Sequence, residues 1–279
     1  MFVAAKSATE IKNALSAGYT NTIVYLTDDI SGNVEFTQNP AGKLVIEGNG
    51  HIFSGSINFK ASSETELTGT ITIQNINFKT ADAERTFITS TETNHYPLNV
   101  TVSNCTFEGS GADSDVVGIA IKSAKNFVIE NCSATKMHSI LQNTSGWNLT
   151  VSNVTVTESG RGLSLGTVQG VTLNKVTVVD AVKYGVRMDA GYNNNAVFTD
   201  CDIEAFIPVV IRKVSVDSNV TFNGTNTMTE KNTDGIWCAI GTSEYEANGT
   251  LPTATASTVT VTVNDAALNT SGIYNNSGK

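Results

Sequence analysis

A six-residue phrase, Val102-Ser-Asn-Cys-Thr-Phe107, returns along most of the chain. Ile73-Gln-Asn-Ile-Asn-Phe78 precedes it. Ile129-Glu-Asn-Cys-Ser-Ala134, Val151-Ser-Asn-Val-Thr-Val156, Leu173-Asn-Lys-Val-Thr-Val178 and Phe198-Thr-Asp-Cys-Asp-Ile203 come after it. Weaker copies start at Ile46, Phe222 and Val263. The third position of the phrase falls at 48, 75, 104, 131, 153, 175, 200, 224 and 265. A unit returning every 20 to 30 residues or so marks a solenoid, whose repeats bury their apolar faces against one another.

Apolar residues alternate within the phrase, so it is strand and not helix. Its third position is mostly Asn, which tolerates the left-handed backbone of a sharp bend between two strands. Coils stacked about 4.8 Å apart would bring these Asn amides into bonding register. The fourth position, occupied by Ile76, Cys105, Cys132, Val154, Val176 and Cys201, would form an inward apolar column. These features predict an all-β right-handed parallel β-helix of about nine coils, with three short strands per coil.

Composition agrees. Charged residues are 15% of the chain and hydrophobic residues 40%, while only 4 Pro would interrupt the ladders. The net charge of −9 is diffuse, and no basic footprint for nucleic acid appears. No apolar run is long enough to span a membrane, and no secretory apolar segment is visible. Cys105, Cys132, Cys201 and Cys238 show no metal-binding spacing. Buried free thiols are expected, with a Cys105–Cys132 bridge as the alternative.

Ser7-Ala-Thr-Glu10 is a capping box, predicting a short helix to about Ala17 that Gly18 stops. That helix would cover the open end of the stack. Thr22–Leu26 and Gly32–Phe36 are the first strands expected. Asp28 and Asp29 lie in the turn between them, as a solvated turn or a cation site. The whole chain, 1–279, is expected to be one domain. Residues 1–20 would be the cap, 21–229 regular coils, 230–257 a loop insertion and 258–279 a last coil, complete or cut short.

The helix, then Thr22-Ile-Val-Tyr-Leu-Thr-Asp-Asp-Ile30, then Val45-Ile-Glu-Gly-Asn-Gly-His-Ile-Phe-Ser-Gly55, resembles the first coils of pectate-lyase-like right-handed β-helix proteins. The Asn-Cys ladder resembles theirs too, over nearly the whole chain. The resemblance implies the fold. It does not imply one activity, because lyases, hydrolases, adhesins and phage tailspikes share that architecture.

A second strand recurs between phrases, often led by Gly: Gly118–Lys122, Gly162–Gly166, Gly185–Asp189, Pro208–Arg212 and Gly235–Ala239. Period 2 puts Ile119/Ile121, Leu163/Leu165, Val186/Met188, Val209/Ile211 and Ile236/Cys238 inside. Outside it leaves one column of Ala120, Ser164, Arg187, Val210 and Trp237, and another of Lys122, Gly166, Asp189, Arg212 and Ala239. Residues 139–142 fit either phase.

The β-helix enzymes that the resemblance brings in act on this outer face. Glycosidic hydrolysis needs two carboxylates about 5–9.5 Å apart. Asp189 is available, with Asp180 and Glu204 in neighbouring turns, and the polygalacturonase-type signatures are missing. Lyase chemistry needs a base and a positive charge, often Ca²⁺, to neutralise a uronate carboxylate. Arg187, Lys183 and Arg161, with Lys136 and His138, are the catalytic candidates, but acidic calcium ligands are absent. No metal site and no cofactor are expected. Tyr184, Arg187, Asp189, Arg212 and Trp237 make a better binding set: a ring to stack on a sugar, and charges to orient it. The bland alternative is an Asp189–Arg212 cross-strand pair with Trp237 covered by the 242–252 loop.

The expectation is a non-catalytic surface protein, adhesive and glycan-binding or structural, resembling an adhesin or a phage fibre component. It would sit outside the cell, on its surface or in a virion, and take carbohydrate or associate with itself through its C-terminal end. The alternative is a polysaccharide lyase or glycoside hydrolase acting on an acidic polysaccharide.

Overall fold

Each coil contributes short strands that pair in parallel with the equivalent strands of the coils before and after it. The computed structural model describes residues 1–16, 21–36, 42–59, 69–90, 99–122, 124–190, 195–245 and 249–278. The first sheet runs from Phe2–Ala5 through Asn21–Leu26, Lys43–Glu47, Thr70–Gln74, Val100–Ser103 and Ala124–Glu130, and ends at Val259–Val263. The second sheet begins past the Asn bend and includes Asn77–Lys79, Thr106–Glu108 and Ser133–Thr135. The third carries the Gly-led strands and ends at Cys238–Ile240 and Ile273–Asn275.

The phrase does what its residues imply. Asn75, Asn104, Asn131, Asn153, Lys175 and Asp200 all have φ near +50°. The next residue of each, from Ile76 to Cys201, is buried in the core. In the weak first copy the left-handed residue is Asn49, not Gly48. Asn153 Nδ2 donates to Asn131 Oδ1 at 2.7 Å. A second Asn ladder, which the phrase does not contain, links Asn99, Asn126 and Asn148 at 2.8 and 2.9 Å. Asn131→Ala is expected to cost about 1–2 kcal/mol, because a Cβ-bearing residue without a side-chain amide dislikes this backbone. Asn131→Gly should cost less. Urea midpoints of the two variants compare them directly.

The core is one continuous apolar filling. Phe78 stacks on Phe107 with ring centroids 5.0 Å apart, and Phe53 and Phe87 flank it at 5.7 and 5.4 Å. Each such ring contributes roughly 1.5–3 kcal/mol through burial. The four cysteines are buried free thiols, so Cys105 and Cys132 are not bridged. Burial alone pushes the Cys238 thiol up to about 12.

The helix spans Ala8–Ser16 and buries Ile11, Ala14 and Leu15 against the end of the stack. Ser7 Oγ accepts the Glu10 N–H at 3.2 Å, while Glu10 reaches back to the Lys6 N–H at 2.8 Å. Gly18 lies outside the described residues. Phe2–Ala5, not anticipated from the sequence, forms a strand ahead of the helix. At the Asp28/Asp29 turn, Asp29 Oδ1 accepts the Ile52 N–H at 2.9 Å and pairs with His51 at 3.3 Å. No described group of acidic, His or Cys residues there or elsewhere could hold a metal ion. Among the described residues no helix is long and apolar enough to cross a membrane.

Candidate functional site

Gly118, Gly162 and Gly185 are corners where successive coils nearly touch. A Cβ on Gly162 would lie 2.4 Å from the Gly185 carbonyl, and one on Gly185 would lie 2.1 Å from Ile203. These corners set the phase of the strands that leave them. Ile119, Leu163, Val186, Val209 and Cys238 enter the core, as do Ile121, Leu165, Met188 and Ile211. The 139–142 segment takes the same phase, with Leu141 beside Leu163 and Gln142 beside Ser164. Outward, Arg187 stands beside Val210, Val210 beside Ala239, and Asp189 beside Arg212.

One strand departs from the expected register. Val209 pairs with Cys238 and Val210 with Ala239, so Ala239 belongs in the column assigned to Trp237. Trp237 sits at the corner and turns into the core, 3% exposed. Its ring meets Phe222 edge-on at 5.2 Å, and its Nε1 donates to the Asn269 carbonyl at 2.6 Å. Ile236, expected inside, packs instead on the outer face. Gly235 has φ +68°, a turn just ahead of Ile236 and Trp237, and the alternation begins only at Cys238, with Cys238 and Ile240 inside and Ala239 outside. Trp237 is therefore not a stacking platform for a ligand.

Another outer column carries Val117, Ser139, Tyr184 and Ile207, with Arg161 beside Tyr184. The loop after Ile240 folds back over it. Tyr184, Ile207, Val210, Ala239 and Tyr245 form a small apolar cluster separate from the core. Tyr245 packs on Phe206 with ring centroids 6.0 Å apart and donates its hydroxyl to Asp234. Burial, then Asp234, pushes that hydroxyl up to about 12.

Glu244, from the same loop, is the hub of the charged groups. Its Oε2 accepts the Tyr184 hydroxyl at 2.7 Å, and its Oε1 accepts Arg187 Nη1 at 3.2 Å and also pairs with Arg212 Nη1. Arg212 Nε also donates to Asp189 Oδ1 at 2.6 Å, and Lys213 Nζ reaches Asp189 Oδ2 at 3.1 Å. Burial pushes the Glu244 carboxyl up, but the Tyr184 hydroxyl and the Arg212 and Arg187 charges outweigh it and hold it below its ordinary value. Burial and the Arg212 charge draw the Arg187 guanidinium down. The expected cross-strand Asp189–Arg212 pair is present, so Tyr184, Arg187, Asp189 and Arg212 do converge, bound to one another and to Glu244.

The catalytic candidates divide. Arg161 Nη1 donates to His138 Nε2 at 2.8 Å, and burial, then the Arg161 charge, lowers the His138 pKa. Arg161 lies over the Tyr184 ring at 5.7 Å. A recess of about 180 Å³ is lined by Arg161, Val182, Lys183, Tyr184, Phe206, Glu244 and Tyr245. Ser139, Ser164 and the Nε of Arg161 are buried there and in the adjoining column with no hydrogen-bond partner. Lys136 instead makes a bend at another corner. Asp180 and Glu204 are not beside Asp189. They share Lys231, which binds Asp180 and lies 3.1 Å from Glu204. Sequence reasoning missed Glu244, Tyr245 and Phe206. The first two lie in a stretch that reads only as polar loop.

Residues 55–227 match the family model described as "Right handed beta helix region". No curated protein matches the chain. Among solved structures, an alginate lyase from Paenibacillus sp. str. FPU-7 is similar over 81% of this chain and 94% of its own. Its identity is 12% and the TM-score 0.33, too distant to bear on substrate or reaction. Since the family model spans well over half of the sequence and the strands stack as parallel coils, the chain belongs to the right-handed β-helix family.

Proposed function

We propose that this protein is a non-catalytic β-helix surface module, at the cell exterior or in a virion, that binds an acidic saccharide at the recess beside Arg161. One observation carries the reading. The recess sets the Arg161 guanidinium, its Nε unpartnered, among the rings of Tyr184, Phe206 and Tyr245, with Lys183 at the rim. Aromatic faces suit a sugar ring, and a guanidinium suits its carboxylate. At about 30 Å³ per water, the recess takes the bulk of roughly six waters, about one sugar unit.

A binding role fits these side chains better than catalysis. His138 Nε2 is engaged by Arg161, and the Tyr184 hydroxyl by Glu244. The carboxylates of Asp189 and Glu244 are each held by arginine. A lyase would need one of these groups free to take a proton from the substrate.

Calorimetry with oligomers of galacturonate, guluronate and glucuronate tests the reading. Binding weakened about 10- to 100-fold by Arg161→Ala is expected, the worth of one charge-assisted contact. Unchanged affinity in that variant would remove the site. Formation of unsaturated product, monitored by ultraviolet absorbance, would replace it with the lyase reading.

A further inference from the structure

Glu244 is held as a ligand is held. Its carboxylate comes from a loop, not from the coil stack, and lands on side chains presented by three different strand positions. Tyr184 gives it a hydroxyl at 2.7 Å, Arg187 a guanidinium N–H at 3.2 Å, and Arg212 a second guanidinium. Two guanidiniums and a phenol converging on one carboxylate are a built carboxylate site. Arg212 also has Asp189, and Asp189 also has Lys213, so the charged groups beside Glu244 form one network. Tyr184 and Glu244 also line the recess beside Arg161, so the two places are continuous.

We infer that Tyr184, Arg187 and Arg212 form a carboxylate-binding site whose resident occupant is Glu244 of the protein's own loop, and that a carboxylate-bearing ligand takes its place when the loop lifts. The occupant belongs to the same chain, so its effective concentration is high and an external carboxylate competes poorly while Glu244 is in place. The loop also holds Tyr245 over Ile207, Val210 and Ala239, so lifting it uncovers apolar surface next to the charged site. That is an energetic barrier to opening, and it makes the loop a gate on this face. A ligand gains the site only if its own contacts exceed those of Glu244 and Tyr245 together. The extension to acidic saccharides rests on the proposed function. The carboxylate site itself does not.

Removing the occupant reveals the site. Glu244→Ala leaves a carboxylate-sized gap facing Tyr184, Arg187 and Arg212, which acetate can fill. Melting temperatures of wild type and variant are compared in sodium acetate and in sodium chloride at matched ionic strength. Acetate is expected to raise the melting temperature of the variant by about 2 °C or more above the chloride control, and to leave the wild type with none of that excess. Equal effects of the two salts on the variant, or an equal acetate effect on both proteins, would overturn the inference. Should Glu244→Ala not fold, Glu244→Gln keeps the side-chain volume and replaces the anion with a weak neutral occupant. Calorimetry should then detect acetate binding in Glu244→Gln and not in wild type. Its absence from the variant would count against the site as firmly as failed rescue. Oligouronates separate the two proposals. Acetate binding without an oligouronate gain in the Glu244 variants keeps the carboxylate site and removes the saccharide. Oligouronate binding that depends on Arg161, with no acetate response in either variant, does the reverse.

Discussion

Trp237→Ala is expected to destabilise the protein by about 3–5 kcal/mol, as large-to-small changes of buried aromatics do. The ring fills the core at the corner one coil before the last described strand, against Phe222 on one side and Gly272 on the other. A Cβ on Gly272 would lie 2.2 Å from the Trp237 ring, so the chain there is fitted to it. Its Nε1 bond to the Asn269 carbonyl ties the 269–275 segment to the stack. Losing the side chain therefore opens a cavity, removes one of the two hydrogen bonds to the Asn269 carbonyl and loosens the last coil together. Urea unfolding measures the cost. Fluorescence supplies a second check, because the chain has 2 Trp and the other, Trp147, is 37% exposed. A Trp147→Phe variant should emit as a buried indole and resist acrylamide quenching. A fully quenchable signal, with stability unchanged in Trp237→Ala, would return Trp237 to the surface.

Glu244→Ala is expected to cost about 2–3 kcal/mol at neutral pH, because it takes a carboxylate partner from both Arg187 and Arg212 in a poorly hydrated place. The side chains of Arg187, Arg212 and Glu244 are only 7%, 19% and 18% exposed, so solvent screening removes little of this. The dependence on pH has a fixed sign. The folded-state pKa of Glu244 lies below its ordinary 4.5. Its stabilisation is thus fully present above that value and is lost as pH falls through the depressed one. The gap in stability between wild type and Glu244→Ala should hold from neutral pH to about 5 and shrink below about 4. The groups that lower the Glu244 carboxyl are the Tyr184 hydroxyl and the Arg212, Arg187 and Arg161 charges. A gap constant down to pH 3 or so would mean that packing by the loop, not the carboxylate, holds it down.

The scaffold was legible because its signals are local. An Asn that must bend at φ near +50° and an apolar residue that must turn inward after it are both properties of a six-residue stretch. Repetition then multiplies a weak local preference into a strong one. The second Asn ladder, Asn99, Asn126 and Asn148, stands five residues ahead of Asn104, Asn131 and Asn153, each member followed by a buried apolar residue, so its signal was in the sequence and was overlooked. The strand at Phe2–Ala5 was not legible because it has no phrase of its own and is fixed only by pairing with Asn21–Leu26.

The outer face was legible in part. Period 2 placed Arg187, Asp189 and Arg212 correctly, since each lies a fixed number of residues past a corner. It failed at Ile236 and Trp237, which follow the turn at Gly235 and precede the strand Cys238–Ile240, so that alternation does not yet apply to them. Sequence alone gives no warning of this, because an apolar pair such as Ile236-Trp237 reads equally well as the start of the strand or as the corner before it.

What the sequence determined by itself is the solenoid: strand type from alternation, bends from Asn, an inward column from residues such as Cys105 and Val154, and a helix from the Ser7 capping box. All of these depend on neighbours a few residues apart. What only the tertiary structure decided is the state of the face that points outward. Glu244 lies 60 residues from Tyr184 and 57 from Arg187, and no periodicity connects a loop residue to the strand beneath it. Whether Arg187 and Arg212 stand open to a ligand or are closed by their own chain is a matter of through-space charge pairing, which is fixed only when the loop has folded back over the coils.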